Sequence, residues 1–405
     1  MAVGLSEPVD ILPVKGIELA SIACGIKSNG RDDLVLIKIN QAASCAATFT
    51  KNAFCAAPVV VAKKHLAQSA PRALLINSGN ANAGTGKQGI QDAVQSCEWL
   101  ASSLQCKTEE ILPFSTGVIG EPMPMNVLGS GIKAIGRQLQ EDNWMAAARG
   151  IMTTDTIAKA VSKQFVITGK QVTMSGIAKG SGMICPNMAT MLAFIGTDAK
   201  VENSFLQQCL NNAVAKSFNS ITVDSDTSTN DACILIASGA SDAELIEAGS
   251  DDAVTFAQAV DEICLHLAQS IIRDGEGATK FVSVNVVDAK SLNEARDVAY
   301  TVAHSPLVKT ALFASDPNWG RILAAVGRAG VEDLILEDVS IFLDDVCIVR
   351  RGCRDAGYTE EAGQKVMDQS EITIRVVLGR GDVSTTVWTS DLSHEYVSIN
   401  ADYRS

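Results

Sequence analysis

The sequence contains no Cys-x-x-Cys pair, although it has 11 cysteines. An odd number of scattered cysteines is typical of free thiols in a reducing compartment, and it argues against a disulfide framework or a zinc finger. Basic residues are in the minority, because 33 Lys and Arg face 46 Asp and Glu, which gives a formal net charge of −13. This balance argues against a nucleic-acid-binding face, although a local basic pocket for an anionic metabolite stays compatible with it.

Long apolar runs are also missing. No run approaches the roughly 18 residues that a membrane-spanning helix needs. The first residues, MAVGLSEPVDILPVKG, contain acidic residues and prolines but no apolar signal-peptide region. With 47% hydrophobic and 20% charged residues, the composition is that of a globular protein. We therefore expect a soluble cytoplasmic protein that binds neither membranes nor nucleic acids.

Histidine is scarce, and the four residues of this type are His65, His266, His304 and His394. None belongs to a metal-ligand spacing, and no Gly-x-Ser-x-Gly nucleophile elbow is present. A structural or surface role is the favoured interpretation of each histidine. The sequence predicts no metal site and gives little support to a histidine-based catalytic triad.

Short runs of branched apolar residues alternate with amphipathic helical stretches, which predicts an α/β (α+β) fold of stacked sheets covered by helices. The predicted strands are residues 33–39, 58–62, 73–79, 191–198, 231–238, 281–289, 339–350 and 372–379, with a hairpin over 164–180. The predicted helices are residues 89–105, 201–218, 252–274 and 291–315. The pattern of predicted strands and helices changes near Lys280. We therefore expect a main domain over 1–280 and a smaller α/β domain over 281–405.

Two loops rich in turn-forming residues could be mistaken for ligand sites. The segment Asn77–Gly89 is neither a Walker loop nor a dinucleotide-binding loop, and a tight backbone turn is its favoured interpretation. The segment Val223–Asp231 lacks the glycine and the terminal glutamate of an EF-hand. It is interpreted as a turn near the start of a strand, where it could still line a site.

The stretch KGSGMICPNMATMLAFIGTDA, residues 179–199, places Ala189 and Thr190 at the edge of a buried strand. A threonine at a new N-terminus can use its own α-amine as a base, because that amine has a pKa of roughly 7.7–8.0. Attack of the Thr190 hydroxyl on the Ala189 carbonyl would create such a terminus without a histidine. A threonine that simply begins a strand is a common alternative, and Cys185 is a rival nucleophile with nothing nearby to activate it.

This stretch closely resembles the self-cleavage site of the ornithine acetyltransferases, also called glutamate N-acetyltransferases, of arginine biosynthesis. Further segments that look like this family lie along nearly the whole chain: NSGNANAGTG, PFSTGVIGEPMP, GIMTTDT, RDGEGATKF, DPNWGRILAAVGRAG and WTSDLSHEYVSINADYRS. The resemblance implies a layered α/β/β/α sandwich similar to the N-terminal-nucleophile hydrolases but with its own connectivity, plus a smaller C-terminal α/β domain.

The resemblance also implies a reaction. A chain cut between Ala189 and Thr190 would transfer acetyl from N-acetylornithine to glutamate through an acetyl-Thr190 intermediate. The usual assembly in the family is a dimer of cleaved αβ units, a heterotetramer. No cofactor is implied, but some members accept acetyl-CoA as a second donor, and the sequence leaves that activity open.

Residue roles carry over by matching position. Thr190 would be the nucleophile of both cleavage and transfer, while Thr116 and Gly117 would form the oxyanion hole. The positions that match the family's substrate contacts are Thr153, Lys179, Thr190, Glu276, Asn400 and Ser405. Lys179 suits a substrate carboxylate and Glu276 suits an amino group. The C-terminal tail is expected to return to the active site and to shield the acetyl-enzyme from water.

Two alternatives stay open at this level. A self-processing aminopeptidase or amidohydrolase of the related superfamily would use the same kind of N-terminal nucleophile, commonly serine. An uncleaved protein that only binds an amino acid would need no nucleophile, and the presence of Thr190 argues against it.

Overall fold

The computed structural model describes residues 2–185 and 191–402. These residues form two compact units. The larger unit comprises Glu7–Asn219 and Asp226–Ile271. The smaller unit takes in Ser220–Ser225 with the described parts of Met1–Ser6 and Ile272–Ser405. The division between residues 280 and 281 stays a prediction.

The described strands and helices are as follows. The strands are β1 (Ile17–Ile22), β2 (Leu34–Ile39), β3 (Ser44–Phe49), β4 (Ala73–Asn80), β5 (Ile111–Val118), β6 (Lys159–Ile167), β7 (Lys170–Lys179), β8 (Leu192–Thr197), β9 (Ile221–Thr222), β10 (Ala232–Ala237), β11 (Phe281–Ala289), β12 (Ser340–Leu343), β13 (Val346–Arg350), β14 (Cys353–Arg354), β15 (Glu371–Val377) and β16 (Val383–Ser390). The α-helices are α1 (Ala57–Leu66), α2 (Gly86–Leu104), α3 (Met125–Ile135), α4 (Trp144–Gly150), α5 (Asn203–Lys216), α6 (Asp251–Arg273), α7 (Leu292–Ala303), α8 (Pro306–Phe313), α9 (Trp319–Gly327), α10 (Glu360–Met367) and α11 (His394–Ala401).

Two sheets form the centre of the larger unit, with strand orders β1-β2-β4-β5 and β3-β10-β8-β7-β6 among the described residues. Their facing sides share one core, in which Phe114 of β5 meets Phe194 of β8 edge to face with ring centroids 5.2 Å apart. Burial of one such ring contributes about 1.5–3 kcal/mol. β8 and β10 are buried along their whole length, as their continuous apolar runs predict.

Helices cover the outer faces of both sheets in the larger unit. Leu100 of α2 and Ile132 of α3 share a core with Leu36 of β2. On the other sheet, a Cβ at Gly176 of β7 would lie 3.1 Å from both Ile263 and Leu267 of α6, so the glycine lets the helix approach closely. The layers therefore run α/β/β/α, and the predicted fold class is confirmed.

The strand predicted at residues 58–62 is wrong, because this segment lies inside α1. Pro58 occupies the first turn, where a helix needs no N–H donor and the fixed φ of proline fits. The buried face is formed by Val59, Ala62 and His65, at helical rather than alternating spacing. The run of three valines is typical of a strand, but the buried residues of the whole segment follow the helical period, and the segment is a helix.

The smaller unit contains a mixed sheet with strand order β14-β13-β12-β15-β11-β16-β9 in the described residues. β11 pairs with β15 in parallel and with β16 in antiparallel orientation. The helix predicted over 291–315 is divided into α7 and α8, because Pro306 cannot continue a helix and begins a new one with Ser305 as its N-cap. Val298, Val302 and Leu312 from these helices pack into the core of the sheet.

The described residues lack two kinds of feature, a metal-binding cluster and a membrane-spanning helix. Nowhere in residues 2–185 and 191–402 do three or more His, Cys, Asp or Glu side chains form a group that could hold a metal ion. Within the same ranges, every helix is too short or too polar to cross a membrane.

Candidate functional site

The predicted site residues are divided between the two units. Thr116, Gly117, Thr153 and Lys179 belong to the larger unit, and Glu276 and Asn400 to the smaller one. Ala189, Thr190 and Ser405 lie outside the described residues.

Thr116 and Gly117 lie at the carboxyl end of β5, which runs parallel to β4 with Ser78 opposite Thr116 and Gly79 opposite Gly117. Thr116 is 9% exposed. Gly117 has φ +134°, and a Cβ there would lie 2.3 Å from the carbonyl carbon of Gly79. No side chain fits between the two strand ends, so glycine is required at position 117.

A buried network of side-chain amides holds these strand ends. Ser115 Oγ donates to Asn77 Oδ1 at 2.6 Å, and Asn77 Nδ2 donates to the Asn80 carbonyl oxygen at 2.8 Å. Asn230 Nδ2 donates to the carbonyl oxygens of Ser115 at 2.9 Å and Ala81 at 2.7 Å. Sequence reasoning missed Asn230, although it noted that the loop before β10 could line a site.

Asp231 fixes the chain directly after the candidate nucleophile. Its Oδ1 accepts a hydrogen bond from the N–H of Met191 at 2.8 Å, and the N–H of Ala232 donates to the Met191 carbonyl oxygen at 3.2 Å. Met191 follows Thr190 in sequence, and Asp231 is 1% exposed. The chain before β8 is thus held on both sides of one residue, Met191, which directly follows the predicted cleavage position in sequence. Sequence reasoning did not identify Asp231.

Lys179 ends β7 with Leu192 of β8 as its register partner. Its side chain is 7% exposed, and its Nζ lies 4.0 Å from Oδ2 of Asp155. Asp155 Oδ1 accepts from Lys159 Nζ at 2.7 Å and from the Gly180 N–H at 2.7 Å. Asp155 Oδ2 accepts from the N–H of Thr153 at 2.9 Å. One buried carboxylate therefore joins the two candidate substrate residues of this unit.

Two opposing effects act on the pKa of Asp155. Burial alone would raise this pKa, but the charges of Lys159 and Lys179, with the hydrogen bonds from Lys159 and the Gly180 N–H, hold it well below its usual range. Asp155 is consequently ionised and keeps a negative charge next to both lysines. Sequence reasoning quoted the segment containing Asp155 but selected only Thr153 from it.

A cavity of about 820 Å³ opens beside Thr153 and Asp155. Its basic lining residues are Lys27, Arg31 and Arg149, and Arg149 is paired with Glu7 at 2.8 Å between Nε and Oε1. Burial lowers the pKa of Lys27 to about 8, against the opposing effect of Asp33 and Asp155. Glu7, Asp32 and Asp155 also line the cavity, so its charged lining is mixed rather than uniformly basic.

Glu276 and Asn400, which are 124 positions apart, meet within the smaller unit. Asn400 Nδ2 donates to Glu276 Oε2 at 2.8 Å, and Glu276 is 7% exposed. Gly277 has φ +67°, and a Cβ there would lie 2.5 Å from the backbone nitrogen of Tyr396. This close approach brings α11 against the loop that carries Glu276. The structure thus joins two of the residues that the sequence selected.

The larger unit is a four-layer α/β/β/α structure in which Lys179 and Asp231 flank the start of the buried strand β8. The ArgJ family model matches residues 18–405. This protein belongs to the ArgJ family, so the family resemblance seen in the sequence is confirmed.

Individual relatives agree. The chain is 56% identical to the arginine biosynthesis bifunctional protein ArgJ of Methylococcus capsulatus, over 98% of this chain and 97% of that protein. It is 54% identical to the protein of the same name from Pseudomonas syringae pv. tomato, over 100% of both. The crystal structure of the arginine biosynthesis bifunctional protein ArgJ from Bacillus halodurans matches with 38% identity and a TM-score of 0.50, over 52% of this chain and 99% of that one.

Proposed function

We propose that this protein is a glutamate N-acetyltransferase of arginine biosynthesis, which moves acetyl from N2-acetyl-L-ornithine to L-glutamate and releases ornithine. The observation that carries the proposal is the 56% identity over 98% of the chain to a protein named for arginine biosynthesis. The geometry of the larger unit supports it, because a buried lysine suited to a carboxylate lies in register with the strand that follows Thr190.

The nucleophile in this proposal is Thr190, set free by cleavage after Ala189. The solved Bacillus halodurans chain supports such a cut, because 99% of it corresponds to 52% of this chain. A half-length chain is what cleavage between residues 189 and 190 would leave. Asp231 would serve the cut by fixing the N–H of Met191, the residue that follows Thr190 in sequence.

The transfer then proceeds in two halves. Thr190 Oγ attacks the acetyl carbonyl carbon of N-acetylornithine while the Thr190 α-amine takes the hydroxyl proton. The tetrahedral oxyanion is stabilised at Thr116 and Gly117, where each donor would contribute roughly 3–4 kcal/mol. The proton passes to the leaving amine, and ornithine departs. The amine of glutamate then attacks the acetyl-threonine ester and restores the free hydroxyl.

The predicted substrate-binding residues have different roles in this proposal. Lys179 would pair with the substrate α-carboxylate, and Asp155 would keep Thr153 and Lys179 at fixed positions. Glu276, held by Asn400, would accept from a substrate amino group. Ser405 is retained in the proposal as a substrate contact from the sequence alone.

A second acetyl donor and the association of the cleaved chains also belong to the proposed function. The relatives are named as bifunctional. For this protein we assign acetyl-CoA as the second acetyl donor to glutamate, with no cofactor required. The cleaved chains would stay associated as a dimer of αβ units in the cytoplasm.

The deciding experiment weighs the purified protein under denaturing conditions. Wild type should give two fragments, residues 1–189 and 190–405, and Thr190→Ala should stay whole. Thr310→Ala, an exposed threonine on α8, is the matched control and should be cleaved normally. An uncleaved wild type would contradict the proposal. Cleavage with deacetylation that glutamate does not accelerate would favour the aminopeptidase or amidohydrolase alternative.

A further inference from the structure

A single buried carboxylate holds the loop that carries Lys27. Asp33 is 0% exposed and accepts from the backbone N–H groups of Cys24, Gly25, Ile26 and Lys27 at 2.7, 3.1, 2.6 and 2.9 Å. Hydrogen bonds to an ionised acceptor are about twice as strong as neutral ones. The backbone from which the Lys27 side chain projects is therefore fixed.

The Lys27 side chain begins next to the candidate oxyanion hole. A Cβ at Gly79 would lie 3.1 Å from Cγ of Lys27, and Gly79 is the register partner of Gly117. From this position the side chain reaches the cavity that Thr153 and Asp155 also line. Lys27 Nζ donates to the Asp32 carbonyl oxygen at 3.0 Å, which uses one of its three N–H donors. The ammonium can thus bind a further acceptor in the cavity.

The charges around this cavity favour an anion. Asp155 is compensated by Lys159 and Lys179, and Arg149 is paired with Glu7. Lys27 and Arg31 add positive charge to the same lining. The acidic groups that remain are Asp32 in the lining and the buried Asp33 next to Lys27, so the positive excess around the cavity is small.

The two amino acids of the proposed reaction differ at the end of the side chain. Glutamate ends in a carboxylate and ornithine in an ammonium, whereas both carry an α-carboxylate. Lys179 is assigned to the α-carboxylate, which is the only carboxylate of ornithine. Lys27, as a second cation near the same site, would therefore have no anionic partner on ornithine. A second carboxylate on the acceptor would give Lys27 that partner.

We propose that Lys27, with Arg31 at the rim of the cavity, forms a subsite for the side-chain carboxylate of a dicarboxylic acceptor. The subsite selects glutamate over amino acids with neutral side chains. This inference rests on the proposed function and adds a specificity-determining residue to it.

The test compares two reactions in each variant. One is acetyl transfer from N-acetylornithine to glutamate, with glutamine as the neutral competitor. The other is exchange of isotopically labelled ornithine into N-acetylornithine without glutamate. Lys27→Met keeps the stem that packs on Gly79 and removes the ammonium. Lys133→Met, an exposed lysine on α3, is the matched control.

In Lys27→Met we expect kcat/KM for glutamate, divided by the rate of ornithine exchange, to fall about 10- to 100-fold, the loss expected for one hydrogen bond to a charged group. The preference for glutamate over glutamine should fall with it. Lys27→Arg should restore part of the preference, and Arg31→Gln should lower it less than Lys27→Met. Lys133→Met should match wild type.

Two results would overturn the inference. One is an unchanged glutamate-to-glutamine preference in Lys27→Met and Arg31→Gln. The other is an equal loss of glutamate transfer and ornithine exchange, which would make Lys27 a structural residue. Failure of the proposed function is recognised separately, because wild type would then show no ornithine exchange before any variant is made, and the inference would fall with it.

Discussion

Replacing Asp155 by asparagine should lower the free energy of unfolding of the larger unit by about 3–5 kcal/mol. The side chains of Asp155 and Lys159 are both 0% exposed, so the substitution leaves a buried ammonium without its counter-charge. An asparagine amide directed at Lys159 would also place a donor against a donor. The substitution would also remove or weaken the two hydrogen bonds that the Asp155 carboxylate accepts from the N–H groups of Thr153 and Gly180.

The assay is denaturant unfolding of the purified variant, followed by circular dichroism and by a probe of the larger unit such as the fluorescence of buried Trp144. Asp355→Asn is the matched control, because its partner Arg350 has a side chain that is 58% exposed. We expect the control to lose much less stability than Asp155→Asn, because solvent screens this exposed ion pair. The double variant Asp155→Asn with Lys159→Met should recover part of the loss, since the fully buried ammonium of Lys159 is then removed as well.

A loss below about 1 kcal/mol in Asp155→Asn would refute this reasoning. It would mean that water or a neighbouring group compensates Lys159 in the absence of Asp155. Transfer activity supplies an independent readout, because the loss of Asp155 should also raise the KM of N-acetylornithine by displacing Lys179.

Two further expectations follow from the geometry. Gly117→Ala should abolish acetyl transfer or prevent folding, because its Cβ would lie 2.3 Å from the carbonyl carbon of Gly79. The control is Gly327→Ala on α9, where a Cβ meets nothing within 4 Å. An active Gly117→Ala enzyme would contradict the assignment of Gly117 to the oxyanion hole. Burial, with the nearby charges of Lys309 and Arg328, lowers the pKa of His304 to about 4 from an ordinary 6.5. Because the unfolded chain binds the proton first, stability should be present above pH 6.5 and be lost as pH falls towards 4. In His304→Gln, the denaturation midpoint should fall less between pH 7 and pH 4.5 than it does in wild type. A fall equal to that of wild type would argue against this role of His304.

Much of the fold could be predicted from local sequence. The apolar runs of β8 and β10 and the amphipathic faces of α2, α5 and α6 gave elements close to those observed. The failure at residues 58–62 has a local cause, since three branched residues favour a strand while Pro58 and the spacing of buried residues favour a helix. The prediction of one continuous helix over 291–315 was wrong at Pro306, because proline has no backbone N–H to donate and cannot continue a helix.

The sequence by itself determined the family and many of the strands and helices, because the family's strings and the periodicities are local, whereas its site residues stay predictions. Only the tertiary structure decided that Asn230 reaches Ser115, 115 positions away, and that Asp33 fixes Lys27 beside Gly79. These contacts depend on the register of parallel strands and on which loops meet at their ends. Asp155 and Lys27 are common residue types, and burial beside other charges distinguishes them from other residues of their kind. That burial is a property of the packed sheets and helices, so no short stretch of sequence contains it.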